Sequence, residues 1–172
     1  MYLKTSLLAI AMFACATTIA SATPSTSGAL PVPANRIAGL WSVQADVSEC
    51  NGGPIKQHAI TTLLFHAGGT VTENPRFPPQ GAPNVYGVLG TNQRTFGMGT
   101  WSYDPATQAY ALHLQFDWYV NGTYNGYQTV DREIILSTDD QHASGPVHTV
   151  RYRLDGSTVV DLCGAVTESD RL

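Results

Sequence analysis

Residues 109–120 read Ala-Tyr-Ala-Leu-His-Leu-Gln-Phe-Asp-Trp-Tyr-Val. From position 111 onward one set (Leu112, Leu114, Phe116, Trp118 and Val120) is large and apolar. The other set (Ala111, His113, Gln115, Asp117 and Tyr119) is mostly polar or small. Successive side chains of a strand point to opposite faces, so this period of two predicts a strand with one apolar and one solvated face. Asn121-Gly122 follows, a dipeptide suited to a two-residue hairpin turn, and Asp104-Pro105-Ala106-Thr107 turns into the run from its other end. Similar short runs occupy 40–47, 58–66, 70–73 and 97–103 upstream, and 127–137, 144–154 and 158–166 downstream. Ala67-Gly68-Gly69 and Asp155-Gly156 are among the turns between them, and no helical heptad of useful length occurs. Eight strands in chain order, joined by short turns, predict an all-β fold: an antiparallel up-and-down barrel, whose closure removes exposed edges.

One stretch breaks the pattern. Residues 74–93 (NPRFPPQGAPNVYGVLGTNQ) have no period, and a long aperiodic loop inside a compact domain is often functional. Two readings stand. It is a lid over a binding site, carried by Val85, Tyr86, Val88 and Leu89, whose apolar surface is costly to leave in water; or it is a mobile insertion with no role.

The N-terminus has the layout of a secretory signal peptide over residues 1–22. Lys4 gives a positive start, Leu7 to Ala16 an apolar run, and Ala20-Ser21-Ala22 a small-residue cleavage site. The apolar run is shorter than the roughly 20 residues that a membrane span needs. Cys15 is a rival acceptor for a lipid anchor, but Met12 and Phe13 fit a lipoprotein box poorly. Residues 23–35 (TPSTSGALPVPAN) are rich in Pro, Ser and Thr and read as a flexible tether. The barrel domain is then residues 36–172, and export implies a secreted or periplasmic location. Net charge is −4, becoming −5 once Lys4 is removed, with no basic stripe for nucleic acid and no cationic helix for a membrane surface.

After cleavage two cysteines remain, Cys50 and Cys163. An even count outside the cytosol favours a disulfide, with two buried free thiols as the alternative. The bridge closes a loop for which the chain-entropy relation gives about 4–5 kcal/mol, and it ties the two ends of a closing barrel together. If the two cysteines face each other in an antiparallel ladder, Val47 meets Val166 and Trp41 meets the terminal Leu172. Neither cysteine has a second Cys or a His at metal-ligand spacing, so neither a metal nor a cofactor is expected.

The folded part opens with Gly39-Leu40-Trp41. It continues through Phe65-His66-Ala67-Gly68-Gly69-Thr70, Gly97-x-Gly99-x-Trp101 and Cys163 to a closing Arg171-Leu172. In this order the features resemble a set of uncharacterised secreted bacterial proteins with calycin-like (lipocalin-like) β-barrels. The resemblance spans nearly the whole folded part and implies the barrel, but it carries no catalytic residue. In lipocalins the tryptophan of Gly-x-Trp plugs the closed end, and an arginine near the C-terminus packs across its ring. This implies a structural role for Trp41, with Arg171 as the candidate arginine, although strict pairing sets Arg171 beside Ser42 on the other face. Gly97-x-Gly99 has the spacing of a dinucleotide loop, yet it lies in a strand with no helix after it and reads as a kink.

If the apolar face of 109–120 lines the barrel, Val130, Arg132, Ile134 and Leu136 turn inward with it, as do His148, Val150, Tyr152 and Leu154. Arg132 and His148 then need a partner, water or a ligand, unless Arg132 reaches the rim and His148 is satisfied elsewhere. An apolar cavity with a few convergent polar groups describes a small-molecule site. Its expected lining is Tyr103, Leu114, Phe116, Trp118, Arg132, His148 and Tyr152. On the opposite face His113 and Asp117 form an acid/base pair only if that face is interior. No Gly-x-Ser-x-Gly is present and no nucleophile is placed near a base. The leading reading is a noncatalytic barrel that binds a small apolar or amphipathic molecule. One alternative is an allene-oxide-cyclase-like cyclase or isomerase, with Arg132, His148, Tyr152 and Tyr103 as orienting and acid/base groups. Another is a protein-binding barrel, such as a periplasmic protease inhibitor, with a filled interior. A cavity, or its absence, separates the third from the first two.

Overall fold

The computed structural model describes residues 34–172. The signal peptide read at 1–22, the lipid-anchor alternative at Cys15 and the tether as far as residue 33 lie outside the described residues. The strands are β1 (Gly39–Glu49), β2 (Gln57–Phe65), β3 (Thr70–Pro75), β4 (Ala82–Pro83), β5 (Thr91–Arg94), β6 (Gly97–Asp104), β7 (Ala109–Val120), β8 (Thr123–Leu136), β9 (Ala143–Ser144), β10 (Pro146–Tyr152) and β11 (Thr158–Arg171). Eight of them, β1, β2, β3, β6, β7, β8, β10 and β11, each pair antiparallel with the next, and β11 pairs back onto β1. The result is the expected closed up-and-down barrel of calycin-like form. β5 continues the line of β6 along β7, while β9 continues that of β10 along β8. Among the described residues no helix is long and apolar enough to cross a membrane.

The alternation of 109–120 is realised in β7. Leu112, Leu114, Phe116 and Trp118 are buried, with His113 and Gln115 exposed between them. The outer wall carries four His–Asp contacts, His58–Asp46, His113–Asp131, His142–Asp170 and His148–Asp161, at 2.6–2.7 Å, beside exposed apolar side chains such as Ile60, Leu64 and Met98.

One end of the barrel is closed. A 3-10 helix, Ala34–Ile37, brings Ile37 beneath Trp41, whose Nε1 donates to the Ile37 carbonyl at 2.8 Å. Phe65, Trp101 and Tyr110 complete this floor. Arg171 lies 4.6 Å over the Trp41 ring and donates to the Ala38 carbonyl at 2.8 Å. Arg171 thus packs across Trp41 from the same face, which strict pairing seemed to forbid. Gly39 makes room for it: its φ is +135°, and a Cβ there would stand 2.8 Å from Arg171 Nη1.

The seam differs from the register read in the sequence. Ser48, not Cys50, is opposite Cys163; Val47 faces Gly164, and Trp41 faces Arg171. A bulge beside Gln44 and Ala45 leaves Thr167 of β11 unmatched, which shifts the pairing along the strand. Cys50 sits just beyond β1 and bridges to Cys163 across 4.6 Å between Cα atoms. The disulfide expected from the cysteine count thus forms, but diagonally. Gly97 and Gly99 lie in β6, as expected, and a Cβ on Gly99 would overlap the His113 carbonyl oxygen of β7.

Candidate functional site

Between the floor and the opposite mouth lies a cavity of about 80 Å³. The side chains that line it come from alternate positions along the strands, with β2 adding Gln57, Ala59, Thr61 and Leu63. β1 supplies Val43, Ala45 and Val47; β7 supplies Leu112, Leu114, Phe116 and Trp118; β8 supplies Gln128, Val130 and Arg132; β10 supplies Val147 and Thr149. The wall is aliphatic toward the floor and aromatic toward the mouth.

At the mouth the segment 74–93 is ordered across the opening. It holds the β4–β5 pair and a 3-10 turn, Val85–Gly87. Tyr86 enters the cavity lining, meets the Trp118 ring edge-on at 6.3 Å between centroids and donates to Gln57. Phe77 meets Trp118 in the same way at 5.6 Å. Burial pushes the Tyr86 phenol up from its ordinary pKa. Val85 also packs on the core, while Val88 is half-buried and Leu89 is 79% exposed. Of the four expected lid residues, Val85 and Tyr86 therefore face the barrel, and Leu89 faces water.

The interior holds more charge than the sequence reading foresaw. Arg94 pairs with Glu73, lies 3.2 Å over the Phe116 ring, and is nearly buried. Burial lowers its pKa, with Glu73 opposing. Arg151 is fully buried, stacks 4.2 Å over Trp118 and donates to Asn92 at 3.1 Å. Its pKa is lowered to about 10, chiefly by burial. Gln128 accepts from Trp118 Nε1 at 2.8 Å and donates to Thr149 at 2.7 Å. Thr149 passes its own hydrogen to the Thr129 carbonyl at 2.7 Å, so this chain of donors and acceptors is complete.

Arg132 is different. It lines the cavity from β8, and its ladder partners, Leu112 and Val147, are apolar. Neither Nε nor Nη2 has an acceptor, and both are shut off from solvent. Burial alone lowers its pKa to about 10, so it stays charged at neutral pH. The neighbouring acids Asp131 and Glu133 point outward.

Of the expected lining residues, Leu114, Phe116, Trp118 and Arg132 meet in the cavity. Tyr103 lies near the floor, 4.8 Å from the Tyr110 ring, and does not line the cavity. His148 and Tyr152 are on the outer wall. His148 contacts Asp161 at 2.7 Å, and Tyr152 stacks on Tyr127 at 5.0 Å. The inward face of β10 is Val147, Thr149 and Arg151, the opposite of the expected set, because these residues are opposed to Arg132, Val130 and Gln128 of β8. Directly opposed residues in an antiparallel pair share a face. The acid/base group Arg132–His148–Tyr152 is consequently not assembled. His113 is likewise outside, paired with Asp131 rather than with Asp117.

Sequence spacing hid one proximity. His148 is opposite Cys163, and a ring nitrogen and both sulfurs lie within 4.8 Å of one another. With both sulfurs joined in the disulfide, no thiolate is left to ligate a metal. Glu73, Arg94 and Arg151 were also missed. Arg151 lies on the parity of β10 opposite its apolar row and Glu73 on that of Val71 in β3, and only the strand pairing shows that these positions face the interior.

No family model, curated protein or solved structure matches the chain.

Proposed function

We propose that the protein is a noncatalytic binding barrel that holds a small apolar or amphipathic molecule in its interior. The observation that carries this reading is the cavity itself, walled by Val43, Ala45, Val47, Leu112, Leu114 and Phe116 and roofed by Tyr86. An interior packed to native density leaves few voids larger than a water molecule, so an interior space of about 80 Å³ argues for an occupant and against a purely protein-binding barrel. Its size limits that occupant. Drug-sized ligands take pockets of roughly 300–1,000 Å³, and an engineered apolar cavity that admits benzene measures about 150 Å³. The reading is therefore a compact ligand, held beneath Tyr86, rather than an extended lipid. Export to an oxidising compartment is part of the proposal; it rests on the layout of residues 1–22 and agrees with the disulfide.

Native mass spectrometry after incubation with a panel of small aliphatic and aromatic molecules tests this reading. Retention of a compact ligand at one per barrel, lost when Leu114→Trp fills the cavity, is the expected result. A panel that leaves no adduct, together with unchanged Trp118 fluorescence, overturns it.

A further inference from the structure

We propose that the ligand carries a carboxylate and that Arg132 receives it. This rests on the interior-binding reading above and specifies its chemistry. Four arginines are buried or half-buried around the core, and three are supplied with partners. Arg94 has Glu73 and the Phe116 ring; Arg151 has Asn92, Asn125 and the Trp118 ring; Arg171 has the Ala38 and Asp140 carbonyls and the Trp41 ring. Among the described residues Arg132 has no ion pair and no ring, and neither Nε nor Nη2 donates a hydrogen bond, although it is only 7% exposed. An ion taken from water into an apolar site without a counter-charge costs several kcal/mol. A fold keeps such a group where something else supplies the charge.

The cavity as a whole has the same bias. Arg94, Arg132 and Arg151 face the interior with Glu73 as their sole buried acid among the described residues, in a chain whose net charge is −4. Glu73 is committed to Arg94 and accepts from Thr61 at 2.9 Å. The uncompensated cation therefore lies where Arg132 meets the aliphatic wall.

The geometry points to a monocarboxylate rather than to another anion. Nε and Nη2 form one edge of the guanidinium, and two parallel N–H donors match the two oxygens of a carboxylate. Both atoms are now sealed, so the ligand is met by a turn of the guanidinium toward the cavity it already lines. A phosphate would bring more charge than one arginine offsets, and the other donors nearby, Gln128 and Thr149, are already engaged with each other. Around the headgroup the wall is Leu112, Val130 and Val147, which suits a short or branched hydrocarbon body.

Isothermal titration calorimetry with three matched pairs tests the inference: propanoate and propanamide, butanoate and butanamide, 2-methylpropanoate and 2-methylpropanamide. The mature protein, Arg132→Met and Arg132→Lys are compared at pH 7, with circular dichroism as the check on folding. The expected result is that at least one carboxylate binds about tenfold or more tighter than its amide. Arg132→Met removes that preference but still binds the amide. Arg132→Lys, which keeps the charge and loses the fork, retains a reduced preference, and it carries the test if the Met variant does not fold. Amides binding as tightly as carboxylates, or a preference that survives Arg132→Met, would overturn the carboxylate assignment and leave the binding barrel standing. No binding by any of the six compounds, with an empty mass-spectrometry panel, removes both.

Discussion

Replacing Arg132 by methionine should stabilise the unliganded protein, the reverse of the usual effect of a core substitution. Burial lowers the pKa of Arg132 from the ordinary guanidinium value to about 10, and no partner opposes it. At 1.36 kcal/mol per pH unit, that shift corresponds to about 3 kcal/mol by which the fold disfavours the charged form. Both the folded and unfolded values lie well above neutral, so the group is charged in both states and the penalty is present in full at pH 7. It is relieved only as pH rises through the folded value. Methionine keeps most of the aliphatic stem against Leu112 and Val147, and the shorter side chain enlarges the cavity at a cost of about 1 kcal/mol. The net gain is about 2 kcal/mol. With a urea slope of about 2 kcal/mol/M, the unfolding midpoint rises by about 1 M. Equilibrium urea unfolding, followed by Trp fluorescence and far-UV circular dichroism at pH 6 and pH 8, should give the same gain at both. A midpoint that falls by 0.5 M or more (roughly 1 kcal/mol) would mean that the guanidinium has a stabilising acceptor, and the account of an uncompensated cation would be wrong.

Four further outcomes follow from other parts of the barrel. Removing the disulfide with Cys50→Ser and Cys163→Ser together should lower stability by about 4–5 kcal/mol, because the separation is 113 residues; a loss under about 1 kcal/mol in urea unfolding would show that the β1–β11 ladder alone holds the seam. Arg94→Met strands Glu73 in the interior and should cost about 3–5 kcal/mol. Adding Glu73→Gln should recover most of that loss, and a double-mutant cycle with no coupling would contradict the pairing. Asp140 is held below the usual carboxylate range, first by its hydrogen bonds from Arg36, so it adds stability that is present at neutral pH and lost as pH falls through the folded value. Thermal unfolding of Asp140→Asn at pH 3–7 should accordingly show a shallower acid slope than the parent, and an identical slope argues against the Arg36 contact. Tyr86→Ala opens the mouth, so stopped-flow fluorescence should show faster association and faster release of the same ligand; unchanged rates would assign the roof to other residues.

Strand placement was legible because the information is local. The alternation at 112–118 needs only the pleat to be read, and Asn121-Gly122 marks where it turns. The Gly-x-Trp stretch was also readable, since Gly39 serves a backbone angle and a close approach that no other residue allows. The face of β10 was not. Val150, Tyr152 and Leu154 look like an apolar row, and Val147 stands alone on the other parity. Thr149 and Arg151 are inside because Gln128, Asn92 and the Trp118 ring, far apart in sequence, satisfy them there. Hydrophobic pattern fails where the interior is partly polar. The seam register failed for a related reason: the bulge that leaves Thr167 unmatched has no signature in composition.

That failure clarifies how the barrel divides its interior. Near the mouth the cations are answered by the protein: Arg94 by Glu73, Arg151 by Asn92 and Trp118. These contacts hold the cover formed by Val85 and Tyr86, since the Val85 carbonyl accepts from Arg151 at 3.5 Å and Tyr86 packs on the same Trp118. Deeper in, the aliphatic wall offers no acceptor, and Arg132 is unanswered. Satisfying it within the chain would take only one acid at Leu112 or Val147, its direct ladder partners, and neither position has one. Leu112→Glu supplies that acid. It should occupy Arg132, raise the urea midpoint of the unliganded protein and abolish carboxylate binding together. A variant that gained stability yet still bound carboxylates with the parent's preference would place the anion elsewhere in the barrel.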